Sequence, residues 1–236
     1  MPPIANRPAT PPGPDAAFWQ AKFDARSTPW DRGGINPQIE NWLRSGQLHP
    51  SQSADARPSG GEDARLTRVL VPGCGSGHEV AMLAEWGFDV TAVDFAPAAT
   101  ARTRDRLRSL LTSPAGARMM RAQVIEADVL SYRPPGEFDA VYEQTCLCAL
   151  YPDHWRRYAE QLFDWLRPGG KLFALFMQAP RERSHTGFIE GPPYHCDVNA
   201  MRALFPAARW EWPKPPYARV AHPSGTTELA VVLTRR

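Results

Sequence analysis

The sequence predicts an α/β fold, a mostly parallel sheet with helices on both faces and a helical cap at its N-terminal side. Three observations predict it. Short apolar runs at 68–72, 88–93, 122–126, 138–143 and 171–177 alternate with amphipathic stretches at 78–86, 97–111 and 153–166, the pattern of βαβ units whose strands are buried on both faces. The first run climbs into a turn with glycine at 73, 75 and 77, and a helical pattern follows. Near the C-terminus, Glu228 to Thr234 reads as a convincing strand and Arg209 to Trp212 as a weaker one, an antiparallel ending to the sheet.

Taken in order, residues 1–14 contain six prolines and almost no apolar side chains, so a disordered tail is expected. A single domain is expected over 15–236, made of a cap (15–48), a flexible insertion (49–65) and a core (66–236). In the cap, Asp15 is placed to N-cap a helix over Ala16 to Phe23, a loop follows at Ser27 to Gly34, and Pro37 opens a second short helix to Ser45. Residues 49–65 are rich in Ser, Gly, Pro and charge, the composition of a flexible segment. In the core, Pro168-Gly169-Gly170 stops a helix and turns the chain into the next strand. Asp197 is placed to cap one more helix.

Composition excludes several classes. The formal net charge of +2 over 236 residues is no footprint for an obligatory nucleic-acid or membrane partner. No apolar run approaches the ~20 residues of a membrane span, and the Pro-rich start has no signal-peptide core, so the expected location is cytoplasmic. A monomer or weak homodimer acting on a small molecule is expected. The cysteines at 74, 146, 148 and 196 have neither zinc-ribbon nor disulfide-framework spacing, and buried thiols are the simple reading. Arg102, Arg104, Arg106 and Arg108, interrupted by Asp105, point in several directions at helical spacing, which reads as a solvated helix face.

The chemistry concentrates around the glycine turn. Glycine admits positive φ and lets backbone approach a ligand closely, and a helix opening near Gly77 aims unpaired N–H groups at the turn. The strand after it ends in Asp94, roughly 20 residues past the glycines, where a carboxylate can accept from ribose hydroxyls. That pairing reads as a nucleoside-cofactor site. The spacing is G-x-G-x-G, tighter than the G-x-G-x-x-G of dinucleotide sites. It suits a ligand with no pyrophosphate, and S-adenosyl-L-methionine is one. Trp19, Phe23 and Trp30 fit the same ligand, because aromatic faces attract a desolvated cation such as a sulfonium by ~0.5–2 kcal/mol, and a flap carrying them excludes water. An aromatic staple that merely packs the first helix down is the alternative for these three.

Pro29-Trp30-Asp31, Val71 to Glu79, Asp128-Val129 and Gly191-Pro192-Pro193-Tyr194 together resemble, in order and spacing, the thiopurine S-methyltransferase family, particularly its halide and thiol methyltransferase branch. The likeness runs from about Trp19 to about Leu204. It implies a Rossmann-like class I methyltransferase fold, seven strands with the last antiparallel, and S-adenosylmethionine as methyl donor. By position, Gly73, Gly75 and Gly77 would lie beside the donor's amino-acid portion, Asp94 would bind its ribose, and Asp128 with Val129 would flank the adenine. Phe23 stands where the family usually has Trp. Gln144 stands where thiopurine methyltransferases commonly have Arg and the halide and thiol branch has Tyr. At the end of the fourth strand it would face both donor and acceptor. Tyr194, in a loop shaped by two prolines, would contact or polarise the acceptor.

The expected reaction is methyl transfer to a small soft nucleophile (a thiol, hydrosulfide, thiocyanate or halide) by in-line displacement. Such acceptors arrive ionised or nearly so, so no buried general base is required and no metal is implied. Methylation of an aromatic or heterocyclic thiol or a secondary metabolite is the alternative in the same class. A nicotinamide dehydrogenase would need the absent glycine spacing. A non-catalytic scaffold that binds the methyl donor would show binding without product.

Overall fold

The central strand, β1 (Arg68–Pro72), is Arg-Val-Leu-Val-Pro, buried from Val69 onward, and its alternate side chains feed two different cores. Val69 and Val71 join one with Ile39, Trp42, Leu83 and Phe173. Leu70 joins the other with Val141, Tyr158, Leu162 and Trp165. The computed structural model describes residues 13–50, 66–111, 121–181 and 189–236. Most of the tail expected over 1–14 and of the insertion expected over 49–65 lies outside them. None of the helices among the described residues is long and apolar enough to cross a membrane.

The remaining strands are β2 (Asp89–Asp94), β3 (Arg121–Glu126), β4 (Phe138–Gln144), β5 (Leu166–Gln178), β6 (Trp210–Glu211), β7 (Ala218–Ala221) and β8 (Thr227–Arg235), in one sheet of order β3-β2-β1-β4-β5-β8-β6 with β7 also paired to β8. β1 to β5 are parallel. β8 runs antiparallel to β5 from Lys171↔Thr234 to Gln178↔Thr227. The order reverses between β1 and β4, the point at which open α/β sheets bind ligands beyond the strand ends.

Helices cover both faces. α1 (Ala16–Asp24) starts where Asp15 accepts from Phe18 N. α2 (Pro37–Arg44) is capped by Asn36 and lays Trp42 against Tyr142 and Phe173. α3 (His78–Glu85) and α4 (Pro97–Leu111) follow β1 and β2. α5 (Cys146–Ala149), a short helix that the sequence does not announce, follows β4. α6 (Trp155–Trp165) buries Tyr158, Ala159, Leu162 and Trp165 at helical spacing on the face opposite α2. α7 (Val198–Leu204) begins at Asp197, which accepts from the backbone N–H of Asn199 and Ala200.

The structure departs from expectation at three places. β5 begins at Leu166, not 171, because residues 167–170 are absorbed as a bulge where Phe138 pairs Leu166 and Ala140 pairs Lys171. Among the described residues the sheet has eight strands instead of seven: beyond β8 the edge is split into β6 and β7, and Pro213, Pro215 and Pro216 between them cannot donate to a ladder. The arginines of α4 are also more than a solvated face. Arg102 donates to Phe23 O, Arg104 to Val124 O at 3.1 Å and Arg106 to Ser76 O at 2.9 Å.

Candidate active site

At the C-terminal end of β1 the three glycines adopt positive φ of 62°, 53° and 71° at 73, 75 and 77, yet they serve different ends. A Cβ at Gly73 would stand 3.0 Å from Cys146 Cβ, so its absence admits α5 against the turn. A Cβ at Gly75 would have nothing nearer than 3.9 Å, and this bare backbone faces a cavity. A Cβ at Gly77 would fall 2.6 Å from Thr103 Oγ1; this glycine caps α3 and lets α3 and α4 approach. The turn is held by Cys74 N to Val93 O (3.1 Å), Gly77 N to Cys74 O (2.9 Å) and Thr103 Oγ1 to Gly75 O (3.0 Å).

Asp94 closes the turn from β2. Its Oδ2 accepts from Gly75 N at 3.0 Å and its Oδ1 from Ala96 N at 2.9 Å. Burial pushes its pKa upward against those backbone donors. Each oxygen keeps lone-pair capacity, and the residue lines the cavity with Phe95, Asp128 and Val129. Asp128 shapes its own loop by accepting from Leu130 N at 2.8 Å.

The roof is aromatic. Trp30 stands edge-on to Trp19 (5.2 Å between ring centres) and to Phe23 (5.9 Å). Arg102 lies over the Phe23 ring at 5.1 Å. The loop that carries Trp30 is latched by Asp31, which accepts from Ser76 Oγ at 2.5 Å, from Gly33 N at 2.8 Å and pairs with His78 Nε2 at 3.0 Å. The bond from His78, aided by Ser76 and Gly33, holds the Asp31 carboxyl well below the usual carboxylate range. Further along, Arg32 pairs with Glu228 at 3.3 Å and donates to Ala221 O. Asn36 donates its backbone N–H to Glu79 and its amide to Glu228.

The cavity, about 250 Å³ in all, is also lined by Thr145, Cys146, Cys148, Ala149 and Leu150 after β4, Met177 at the end of β5, Pro192 and Pro193, and His222 and Ser224 in the turn between β7 and β8. Thr145 holds a φ of 60°, a conformation that non-glycine residues adopt mainly where neighbours enforce it. Lys22 is the only lysine or arginine on the wall among the described residues. All four cysteines are buried and free of disulfides, and burial raises the thiol pKa of Cys146 and Cys148 well above 9.0.

The structure thus brings together Trp19, Phe23, Trp30, Gly73, Gly75, Asp94, Asp128 and Val129 on one wall. It places Gly77, Gln144 and Tyr194 outside that wall. Gln144 Oε1 accepts from Tyr142 Oη at 2.7 Å, and its amide reaches Glu228 at 3.4 Å. Tyr194 is buried with its ring 5.6 Å from that of Tyr151 and its N–H on Cys148 O. Sequence reading did not single out Phe18, Phe95, Thr145, Met177, His222 or Ser224 for the site. Only Phe95 and Thr145 carried a signal, directly after the ends of β2 and β4.

Beneath α5, Glu143 is buried, accepts from Leu147 N at 2.7 Å, and is pushed by burial, and by Glu228, to a pKa of about 7 from 4.5. Between those values the folded chain keeps a proton that the unfolded chain has released, so stability falls as pH rises through the window. Glu143→Gln keeps an acceptor for Leu147 N and removes the titration. Urea unfolding at pH 5 and pH 8 is expected to show a smaller loss across the window in the variant than in the wild type; equal losses would mean that Glu143 does not titrate there.

Comparison with known proteins agrees with this architecture. The sequence profile of the family described as thiopurine S-methyltransferase (TPMT) matches residues 14–232. The chain is 28% identical over 186 residues to thiocyanate methyltransferase 1 of Arabidopsis thaliana, covering 79% of this chain and 70% of that protein. It is 27% identical over 206 residues to the thiopurine S-methyltransferase of Methylococcus capsulatus, covering 84% of each. In fold it is similar to magnesium protoporphyrin IX methyltransferase from Synechocystis PCC 6803, solved with bound SAM, at a TM-score of 0.66 and 14% identity over 96% of this chain and 100% of that one. With nearly the whole described chain matched, the protein belongs to the thiopurine S-methyltransferase family and so to the S-adenosylmethionine-dependent methyltransferases.

Proposed function

We propose that this chain transfers a methyl group from S-adenosylmethionine to a small sulfur nucleophile, a thiol or hydrosulfide. One observation carries the proposal: a single cavity is lined both by Gly73, Gly75 and Asp94 and by Cys146, Cys148, Leu150 and Met177. The first group fits the donor. Gly75 leaves backbone bare where a side chain would intrude, Asp94 has unused lone pairs for ribose hydroxyls, and the Trp19–Phe23–Trp30 roof suits a sulfonium. Asp128 and Val129 would flank the adenine. When bound, S-adenosylmethionine supplies an electrophilic methyl group on a positively charged sulfur.

The protein's own work is then alignment and exclusion of water. Orientation alone can contribute ~7–11 kcal/mol to such a displacement. Sulfur suits this cavity because Cys146, Cys148, Leu150 and Met177 give it soft, apolar surface beside the polar Thr145, His222 and Ser224. Gln144, bonded to Tyr142 and Glu228, and Tyr194, stacked edge-on against Tyr151, serve in this reading as supports for the loops that form the wall. The thiocyanate methyltransferase likeness makes thiocyanate and iodide the natural competitors.

The test is a product assay with methyl-labelled S-adenosylmethionine and, in parallel, hydrosulfide, a short alkyl thiol, benzenethiol, thiocyanate and iodide. The expected result is label on hydrosulfide or the alkyl thiol, at higher kcat/KM than on thiocyanate or iodide. Preference for either anion, or for benzenethiol alone, would overturn the choice of acceptor.

A further inference from the structure

The turn between β7 and β8 brings a histidine and a serine to the wall of the cavity. His222 is 5% exposed, and its Nδ1 accepts from Ser224 N at 3.2 Å and lies 2.8 Å from Ser224 Oγ. An N–H aimed at Nδ1 makes that nitrogen the one with the lone pair, so the neutral ring carries its proton on Nε2. Burial and the Arg32 guanidinium, itself bonded to Ala221 O, hold the imidazole pKa down at about 4, which keeps it neutral near pH 7. With Nδ1 the acceptor, the 2.8 Å contact is a donation from the Ser224 hydroxyl, whose oxygen also lies 3.0 Å from Thr226 Oγ1. His222 Nε2 is buried without a partner among the described residues, a cost that packing alone does not explain.

Arg32 stands beside His222 but is paired with Glu228 and does not line the cavity. Among the described residues Lys22 is the only lysine or arginine on the wall; it sits on α1, with its Nζ 5.5 Å from the centre of the Phe18 ring. An ordinary thiol, with a pKa of ~8.5, arrives there mostly protonated. Its proton must leave as the new sulfur–carbon bond forms, and its acidity climbs during that step, so a weak base suffices.

We infer that Ser224 is a catalytic residue of this site: its Oγ takes the proton of the acceptor thiol while its own hydroxyl proton passes to Nδ1 of His222. This rests on the thiol methyltransferase reading above. In the balanced step a lone pair on the thiol sulfur bonds the methyl carbon, and the methyl–sulfonium bond breaks with its pair on the departing sulfur. The thiol proton is relayed through Ser224 to His222. Ser224 is exposed, so the imidazolium returns the proton to water through it. The relay matters for acceptors that arrive with a proton and is idle for those already ionised.

The experiment compares wild type, Ser224→Ala and His222→Phe on an alkyl thiol and on a thiol acidic enough to arrive ionised. Affinity for S-adenosylhomocysteine and the 15N spectrum of His222 in the free protein are measured alongside. The ratio of kcat on the protonated to kcat on the ionised thiol is expected to fall about 10²-fold in Ser224→Ala. His222→Phe should follow the same ratio, with S-adenosylhomocysteine affinity retained, and the Nδ1 resonance should shift when Ser224 is removed. An unchanged ratio in a folded Ser224→Ala overturns the relay and leaves the methyltransferase reading standing. A wild-type chain that binds S-adenosylhomocysteine but methylates no thiol overturns both.

Discussion

Asp94→Ala is expected to weaken S-adenosylhomocysteine binding by about 10²-fold or more while leaving the fold intact. Two losses add. The carboxylate no longer pairs with ribose hydroxyls, and the Gly75 and Ala96 N–H groups lose their acceptors. Hydrogen bonds to a charged partner contribute ~1.5–3 kcal/mol each, and every ~1.4 kcal/mol is tenfold in affinity. Stability should change little, because burial drives the Asp94 pKa up. A carboxyl whose folded pKa is raised costs stability once ionised, so removing it offsets part of the lost bonding. Calorimetric titration checks the affinity and circular dichroism the fold. An affinity within a few-fold of wild type would remove Asp94 from the cofactor site.

Asp31→Ala is expected to cost about 2–4 kcal/mol of stability at pH 7 and to weaken cofactor binding as well. The side chain ties the Trp30 loop to Ser76 and His78 of the glycine turn, so its loss frees the roof over the same cavity. Three partners on one partly buried carboxylate justify the magnitude. The pH dependence has a definite sign. The folded carboxyl titrates below its ordinary value of 3.8, so its contribution is complete above that pH and is lost as pH falls through the lower, folded value. The stability gap between wild type and variant should therefore shrink as pH drops below 3.8, as followed by urea unfolding across the acid range. A gap independent of pH would assign the effect to packing.

Much of this site was legible because its signals are local. The apolar run of β1, the glycine turn after it and Asp94 at the end of β2 lie within 27 consecutive residues, and parallel strands put both strand ends on one side of the sheet. What could not be read depends on distant partners. Gly77 matches the glycine spacing, but Thr103 on α4 occupies the space beside it. Gln144 and Tyr194 follow the right strand and the right proline loop. Their side chains, however, answer to Tyr142, Glu228 and Tyr151 rather than to the cavity. His222 and Ser224 stayed hidden because the prolines at 213, 215 and 216 mask the short β7 from any periodicity, and without β7 the turn that carries them has no address. Glu228 read only as the start of a strand, and its role became readable once Arg32, Asn36 and Gln144 were seen around it.

In the proposed function the cavity between the glycine turn and the β7–β8 turn holds the methyl donor, its sulfur facing the acceptor. A crystal structure of the chain with S-adenosylhomocysteine tests this most directly. The expected complex has ribose hydroxyls on Asp94, the amino-acid portion beside Gly73 and Gly75, adenine against Asp128 and Val129, and the sulfur turned toward Ser224 and Cys148 beneath Trp30. A ligand bound elsewhere, or one whose sulfur faces away from Ser224, would contradict it.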